Sequence, residues 1–110
     1  MHLMFDLRFL PNPYYIPELR KKTGNHKDVS DYVMGLDESK EFFEMLLNML
    51  IYLIPKYEKD GKAHLRIGIG CSGGQHRSVT FVNYLHAELS KIFNYKITKF
   101  HREIGDEKEI

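Results

Sequence analysis

Tryptophan is absent from these 110 residues, and cysteine occurs once, at Cys71. One cysteine excludes an internal disulfide and fits a reducing, cytoplasmic setting. With no Trp, bulky packing must come from 7 Phe and 7 Tyr. An excess of either charge is also lacking. The 16 Lys and Arg against 15 Asp and Glu leave a formal net charge of +1, so attraction to nucleic acid can come only from local clusters. Long hydrophobic runs are missing as well. The most apolar stretch, from Phe42 to Ile54, holds Glu44 and Asn48 and is too short to span a bilayer, so no membrane partner is expected. The opening residues are interrupted by Asp6 and Arg8 and do not read as a signal peptide. No Walker A pattern (G-x-x-x-x-G-K-S/T) occurs, which argues against nucleotide hydrolysis by these residues alone. Neither an internal repeat nor a low-complexity segment is present, and no cofactor or metal ligand set is expected.

What is there has the length of one domain, spanning 1–110. Residues 3–10 alternate, with Leu3, Phe5, Leu7 and Phe9 on one side, which predicts a strand. The prolines of Pro11-Asn12-Pro13 and Pro17 stop it. A turn is expected at Thr23-Gly24-Asn25, then a short helix over Val29–Met34 ended by Gly35. Asp37 is placed to cap a long helix from Glu38 to Tyr57, apolar around most of its girth and therefore expected to be buried on more than one side. That girth also makes a homo-oligomer possible. Lys59-Asp60-Gly61-Lys62 reads as the turn that ends it. Residues 64–70 form a second expected strand, in which Leu65, Ile67, Ile69 and Cys71 share a face and Gly68 and Gly70 leave the other face open. Ser78 to Phe93 reads as an amphipathic helix with Val79, Val82, Leu85, Leu89 and Phe93 on one stripe. A third strand is expected within Lys96–His101. The order β-α-α-β-α-β predicts an α/β fold with a small parallel sheet and flanking helices.

Chemistry concentrates in Cys71-Ser72-Gly73-Gly74-Gln75-His76-Arg77-Ser78, where a buried strand feeds a helix. Such a glycine-rich turn can aim consecutive backbone N–H groups at one anion, and the helix behind it adds the positive end of its dipole. Arg77 offers a planar fork suited to phosphate, His76 a ring donor, and Ser72 and Ser78 hydroxyls. The plainer alternative is a tight turn with His76 and Arg77 solvated. If the strands are parallel, the same edge also gathers Arg8 and Asn12 after the first strand, and His101 and Arg102 after the third. Cys71 and Arg77, spaced C-x5-R and followed by Ser78, resemble the signature of cysteine-dependent phosphatases. Gly70 stands where those enzymes usually carry His, and no Asp is placed as an obvious general acid. A structural cysteine is the preferred reading, and catalysis by Cys71 and Arg77 the alternative.

The segments DLRFLPNPYYIPELRKKTGNHKDVSDYV at 6–33, GCSGGQHRSVTFVNYLHAEL at 70–89 and HRE at 101–103 together resemble the C-terminal domain of the RapZ family. Full-length members of that nucleotide-binding family carry an N-terminal P-loop domain, which this chain is read as lacking. The resemblance implies a regulatory domain that senses a phosphorylated sugar, an aminosugar phosphate in particular, and binds RNA or a partner protein. It assigns Ser72, Gly73, His76 and Arg77 to the ligand loop and sets Tyr14 in the matching Pro-Asn-Pro segment. RNA-binding members use a basic tail, whereas residues 105–110 here are acidic. Lys91, Lys96, Lys99 and Arg102 form the modest basic stripe that could meet an RNA backbone.

Overall fold

Two short parallel strands, three α-helices and a 3-10 turn make up the computed structural model, which describes residues 2–61 and 64–105. In chain order they are β1 (Leu3–Asp6), the 3-10 turn (Pro13–Tyr15), α1 (Lys27–Gly35), α2 (Asp37–Lys59), β2 (Ile67–Gly70) and α3 (Arg77–Ile92). The strands pair Leu3 with Ile67, Met4 with Gly68, Phe5 with Ile69 and Asp6 with Gly70. Because side chains alternate across a strand, Leu3, Phe5, Ile67 and Ile69 share one face. That face packs on a core of Leu7, Leu10, Leu19, Val29, Val33, Leu46, Leu50, Phe81, Leu85 and Leu89. The opposite face is open. Met4 is 69% exposed there, and a methyl added to Gly70 would meet only the Phe5 carbonyl, at 3.9 Å. The fold is α/β, as the sequence pattern predicts.

Several boundaries move for physical reasons. β1 stops at Asp6, not at residue 10. Leu7 N–H still donates to Gly70 O at 2.7 Å, but Leu10 N–H then donates to Leu7 O and closes a turn. The turn buries Leu7 and Leu10 and leaves Phe9 53% exposed, edge-on to Phe42 at 5.1 Å. β2 begins at Ile67 rather than residue 64. Leu36, extended at φ −76° and ψ 137°, separates α1 from α2 and occupies the cap position expected for Asp37. Asp37 and Glu38 instead lie in the first turn of α2, where carboxylates favour the helix dipole. The α2 helix is less enclosed than its composition suggests. Leu46 and Leu50 are buried, but Met45 (55% exposed), Met49 and Tyr52 form an open stripe. The turn after α2 includes Gly61 at φ +83°, while Lys62 lies outside the described residues.

The expected strand at Lys96–His101 does not form. Among the described residues this stretch carries only an isolated bridge between His101 and Gly105. Its backbone is anchored sideways instead, with His86 Nε2 2.9 Å from Ile97 O and Ile97 packed on the core. A groove of about 540 Å³, with Ile67 and Ile69 among its lining on the strand side and Tyr95 and Ile97 on the other, keeps the segment away from β2. A strand ladder needs neighbours only about 4.8 Å apart. At the other end of the core, five consecutive residues, Arg77 to Phe81, are all buried, so the first turn of α3 is wrapped on every side.

Candidate functional site: a glycine loop at the carboxyl edge of the sheet

The loop between β2 and α3 takes its shape from Gly73 and Gly74, at φ +76° and +64°. Two successive left-handed residues are unstrained only for glycine, and a tight glycine turn of this kind can aim successive N–H groups at one anion. Ser72 and Gly73 are exposed on this loop, and Gln75 is exposed beside them. The helix that follows starts without a side-chain cap, because His76 at the cap position makes no such bond. Within the first turn of α3, Ser78 N–H points to Cys71 Sγ at 3.4 Å and Thr80 N–H donates to His76 O at 3.0 Å. Cys71 Sγ also lies 3.3 Å from Ser78 Oγ.

Arg77 points inward. Its side chain is only 2% exposed, and Nη1 donates to the carbonyls of Leu10 (2.7 Å), Arg8 (3.2 Å) and Leu7 (3.4 Å). The guanidinium thus clamps the turn after β1 to the start of α3. Its Nε has no hydrogen-bond partner, and among the described residues Arg77 is in no ion pair. Its charge is met by the three carbonyl dipoles and is felt by Asp6, whose carboxyl it helps to hold below its ordinary pKa. His76 is buried too, with Nε2 3.2 Å from Arg20 O.

Arg8 shares with the loop a shallow depression of about 390 Å³ lined by Met4, Phe5, Asp6, Gly70, Cys71 and Ser72. It is engaged with Asp6, through Nε to Oδ2 at 2.8 Å and Nη2 to Oδ2 at 2.7 Å. This bonding holds the Asp6 carboxyl below its ordinary pKa. Asn12 and Tyr14 do not line that depression. Asn12 Oδ1 accepts Tyr14 N–H at 3.0 Å and caps the 3-10 turn. Tyr14 is half exposed under the guanidinium of Arg20, 4.9 Å from the ring centre. Of the basic residues, Lys96 and Lys99 line the groove beside β2, which includes neither Lys91 nor Arg102. Lys91 Nζ lies 3.4 Å from Glu88 Oε1 at the far end of α3. Among the described residues no cluster of three His, Cys, Asp or Glu could hold a metal ion, and no helix is long and apolar enough to cross a membrane.

Three contributors have roles that the sequence patterns do not assign. Gly24 N–H donates to Gln75 O at 2.8 Å, fastening the turn at 23–25 to the glycine loop. Behind it a buried polar chain runs from Asn25 Oδ1, which accepts Asn83 Nδ2 at 2.8 Å, to His101 Nε2, 2.9 Å from Asn83 Oδ1. Finally, Glu103 lies across Gly74. The Thr-Gly-Asn and His-Arg-Glu signals were visible as a turn and a strand end, but pairings 58 and 18 residues apart leave no local pattern.

The model of the RapZ C-terminal domain matches residues 1–105. A nucleotide-binding protein of Clostridioides difficile is 54% identical over 101 residues, covering 92% of this chain and 35% of that protein. One of Fusobacterium nucleatum is 56% identical over 104 residues, covering 92% and 36%. Another, from Caldicellulosiruptor saccharolyticus, is 51% identical over 108 residues, covering 98% and 36%. The chain therefore spans about a third of the length of these relatives. With matching motifs, a matching family model and identity above half across nearly its whole extent, this chain belongs to the RapZ family and corresponds to its C-terminal domain.

Proposed function

We propose that this domain is a sensor that binds a phosphorylated small molecule on the glycine loop at 71–78. The observation that carries the reading is the pair of left-handed glycines, Gly73 and Gly74, just before a helix whose first residue is the buried cation Arg77, in no direct ion pair among the described residues. Ser72, Gly73, Gly74 and Gln75 supply the accessible face, and Arg8 lies across the shared depression. His76, Arg77 and Ser78 shape the loop from within, and Asn12 caps the 3-10 turn that carries Tyr14. An aminosugar phosphate is the ligand the family resemblance favours. RNA, or a partner protein, is the second partner class, with Lys96 and Lys99 as the basic groups beside β2. The Met45, Met49 and Tyr52 stripe is the surface a homo-oligomer would cover.

Titration with glucosamine 6-phosphate, followed by amide NMR, is expected to give saturable shifts centred on residues 71–78. Gly73→Ala should weaken the affinity severalfold. There is open space for the added methyl, but φ +76° is strained for alanine by roughly 1–2 kcal/mol. The relatives named as nucleotide-binding proteins make a mononucleotide the informative second ligand, and inorganic phosphate the third. Equal affinity for all three would reduce the reading to a generic phosphate site. Absence of shifts at millimolar ligand removes it.

The contacts of Cys71 with Ser78 keep a second reading in view, a cysteine-dependent phosphatase. Two features oppose it. Arg77 Nη1 is committed to three backbone carbonyls. Asp6, the carboxylate lining the Cys71 depression, is held ionised by Arg8 and so is unsuited to donate a proton near neutrality. An aryl phosphate assay is expected to show no turnover. Release of phenol that disappears in Cys71→Ser would reverse the assignment.

A further inference from the structure

The turn 101–105 lies over the glycine loop like a strap. His101 is buried and fixed at 2.9 Å to Asn83 of α3, and Gly105 N–H donates to His101 O at 2.9 Å to close the turn. Between these ties, the side chain of Glu103 crosses Gly74. A methyl on Gly74 would stand 2.7 Å from Glu103 Cγ, 3.5 Å from Cβ and 3.9 Å from the carboxyl carbon. Gly74 is therefore needed twice, for φ +64° and for the room that Glu103 occupies. Among the described residues the carboxylate is paired with one cation, Arg102, whose Nε is 3.8 Å away and which is almost fully exposed. Such a pair is weak and screened by solvent, so it does not neutralise Glu103.

A negative charge carried on an anchored turn beside an anion-binding loop has a definite consequence. We infer that Glu103 is a specificity-determining residue of the loop, a built-in anion whose charge lowers affinity for simple oxyanions held at Gly73 and Gly74. The inference rests on the reading of the loop as an anion site. The anchored turn matters, because it keeps the stem of Glu103 over Gly74 although the side chain is half exposed. Here His101, Asn83 and the Gly105 bond hold the turn in place. Charge repulsion of this kind weakens with salt, since the screening length falls from about 10 Å at 0.1 M to about 3 Å at 1 M. A purely steric obstruction would not.

The test compares wild type with Glu103→Gln, which keeps the shape and removes the charge. Inorganic phosphate and sulfate are titrated separately at low salt and at 1 M sodium chloride, with the amides of residues 70–78 as the readout. The amides of Asn83 and His101 report whether the strap is undisturbed. Glu103→Gln is expected to tighten both anions by about three- to tenfold at low salt, with the gain largely gone at 1 M. Affinity that is unchanged or weaker in Glu103→Gln overturns the role of Glu103 and leaves the anion site standing. A gain that persists at 1 M, or that comes with displaced Asn83 and His101 amides, overturns it in favour of a rearranged strap. If neither variant responds to either anion, the loop is not an anion site and both conclusions fall.

Discussion

Arg77→Ala is expected to lower the stability of this domain by roughly 3–5 kcal/mol, a large share of the total for a chain of this size. The guanidinium holds three carbonyls of the turn after β1, and the shortest bond is to Leu10 at 2.7 Å. Leu7 O keeps a second donor in Leu10 N–H, whereas the Leu10 carbonyl loses its charged partner. The truncation also opens a cavity beside Leu7 and Leu10, both core residues. Lysine should recover only part of the loss, because its ammonium is more strongly hydrated than a guanidinium and costs more to bury beside the three carbonyls. The check is urea denaturation of wild type, Arg77→Ala and Arg77→Lys, followed by far-ultraviolet circular dichroism. Near-wild-type stability of the alanine variant would sink the clamp. The result also governs how binding data are read. Loss of phosphate binding in Arg77→Ala follows from collapse of the loop's support even if the guanidinium never touches the ligand.

This residue shows where the sequence is legible and where it is not. Glycines between an apolar strand and an amphipathic helix announce a strand–loop–helix unit, and Gly73 and Gly74 do occupy left-handed positions at that junction. The three helices follow from apolar periodicity and the break after Gly35, and their ends move by only a few residues. Residue type and spacing do not, however, say which way a side chain points. Arg77 in a C-x5-R-S pattern suggests a cation aimed at a ligand. It turns inward because the Leu7–Leu10 turn presents carbonyls that lack sufficient backbone donors. The same limit explains the missing third strand. Alternation around Ile97 fits a strand, but pairing requires β2 to lie within bonding distance, and a groove lies between them instead. The Asn25–Asn83–His101 chain joins three distant segments through polar atoms. No periodicity reports such contacts, although they fix two of the segments around the loop.

Gly24→Ala should be comparably damaging, although nothing in its backbone conformation demands glycine. Its φ is not positive, and in sequence it passes for an ordinary turn residue. What demands glycine is close approach. An added methyl would stand 2.5 Å from Thr80 N, 2.6 Å from His76 O and 2.7 Å from Thr80 Oγ1. The first two are backbone atoms joined by the Thr80 N–H to His76 O bond at 3.0 Å, so neither can yield without breaking the first turn of α3. The turn at 23–25 must retreat instead. Retreat strains the Gly24 N–H to Gln75 O bond and the Asn83 to Asn25 bond, both 2.8 Å. Overpacking costs about 1–3 kcal/mol, and each lost buried bond adds about 1 kcal/mol, giving about 3–5 kcal/mol in all. Gly35→Ala is the matched control. It lies at the end of α1 with nothing within 4 Å of an added methyl, so it should gain about 0.5–1 kcal/mol. Thr80→Ala in the Gly24→Ala background should restore little, because it removes one of three close contacts and leaves both backbone atoms in place. Chemical denaturation of the four proteins separates the possibilities. If Gly24→Ala behaves like Gly35→Ala, the turn at 23–25 is not packed against α3 as described. If Thr80→Ala rescues it fully, the obstruction is the hydroxyl and the backbone has room to move.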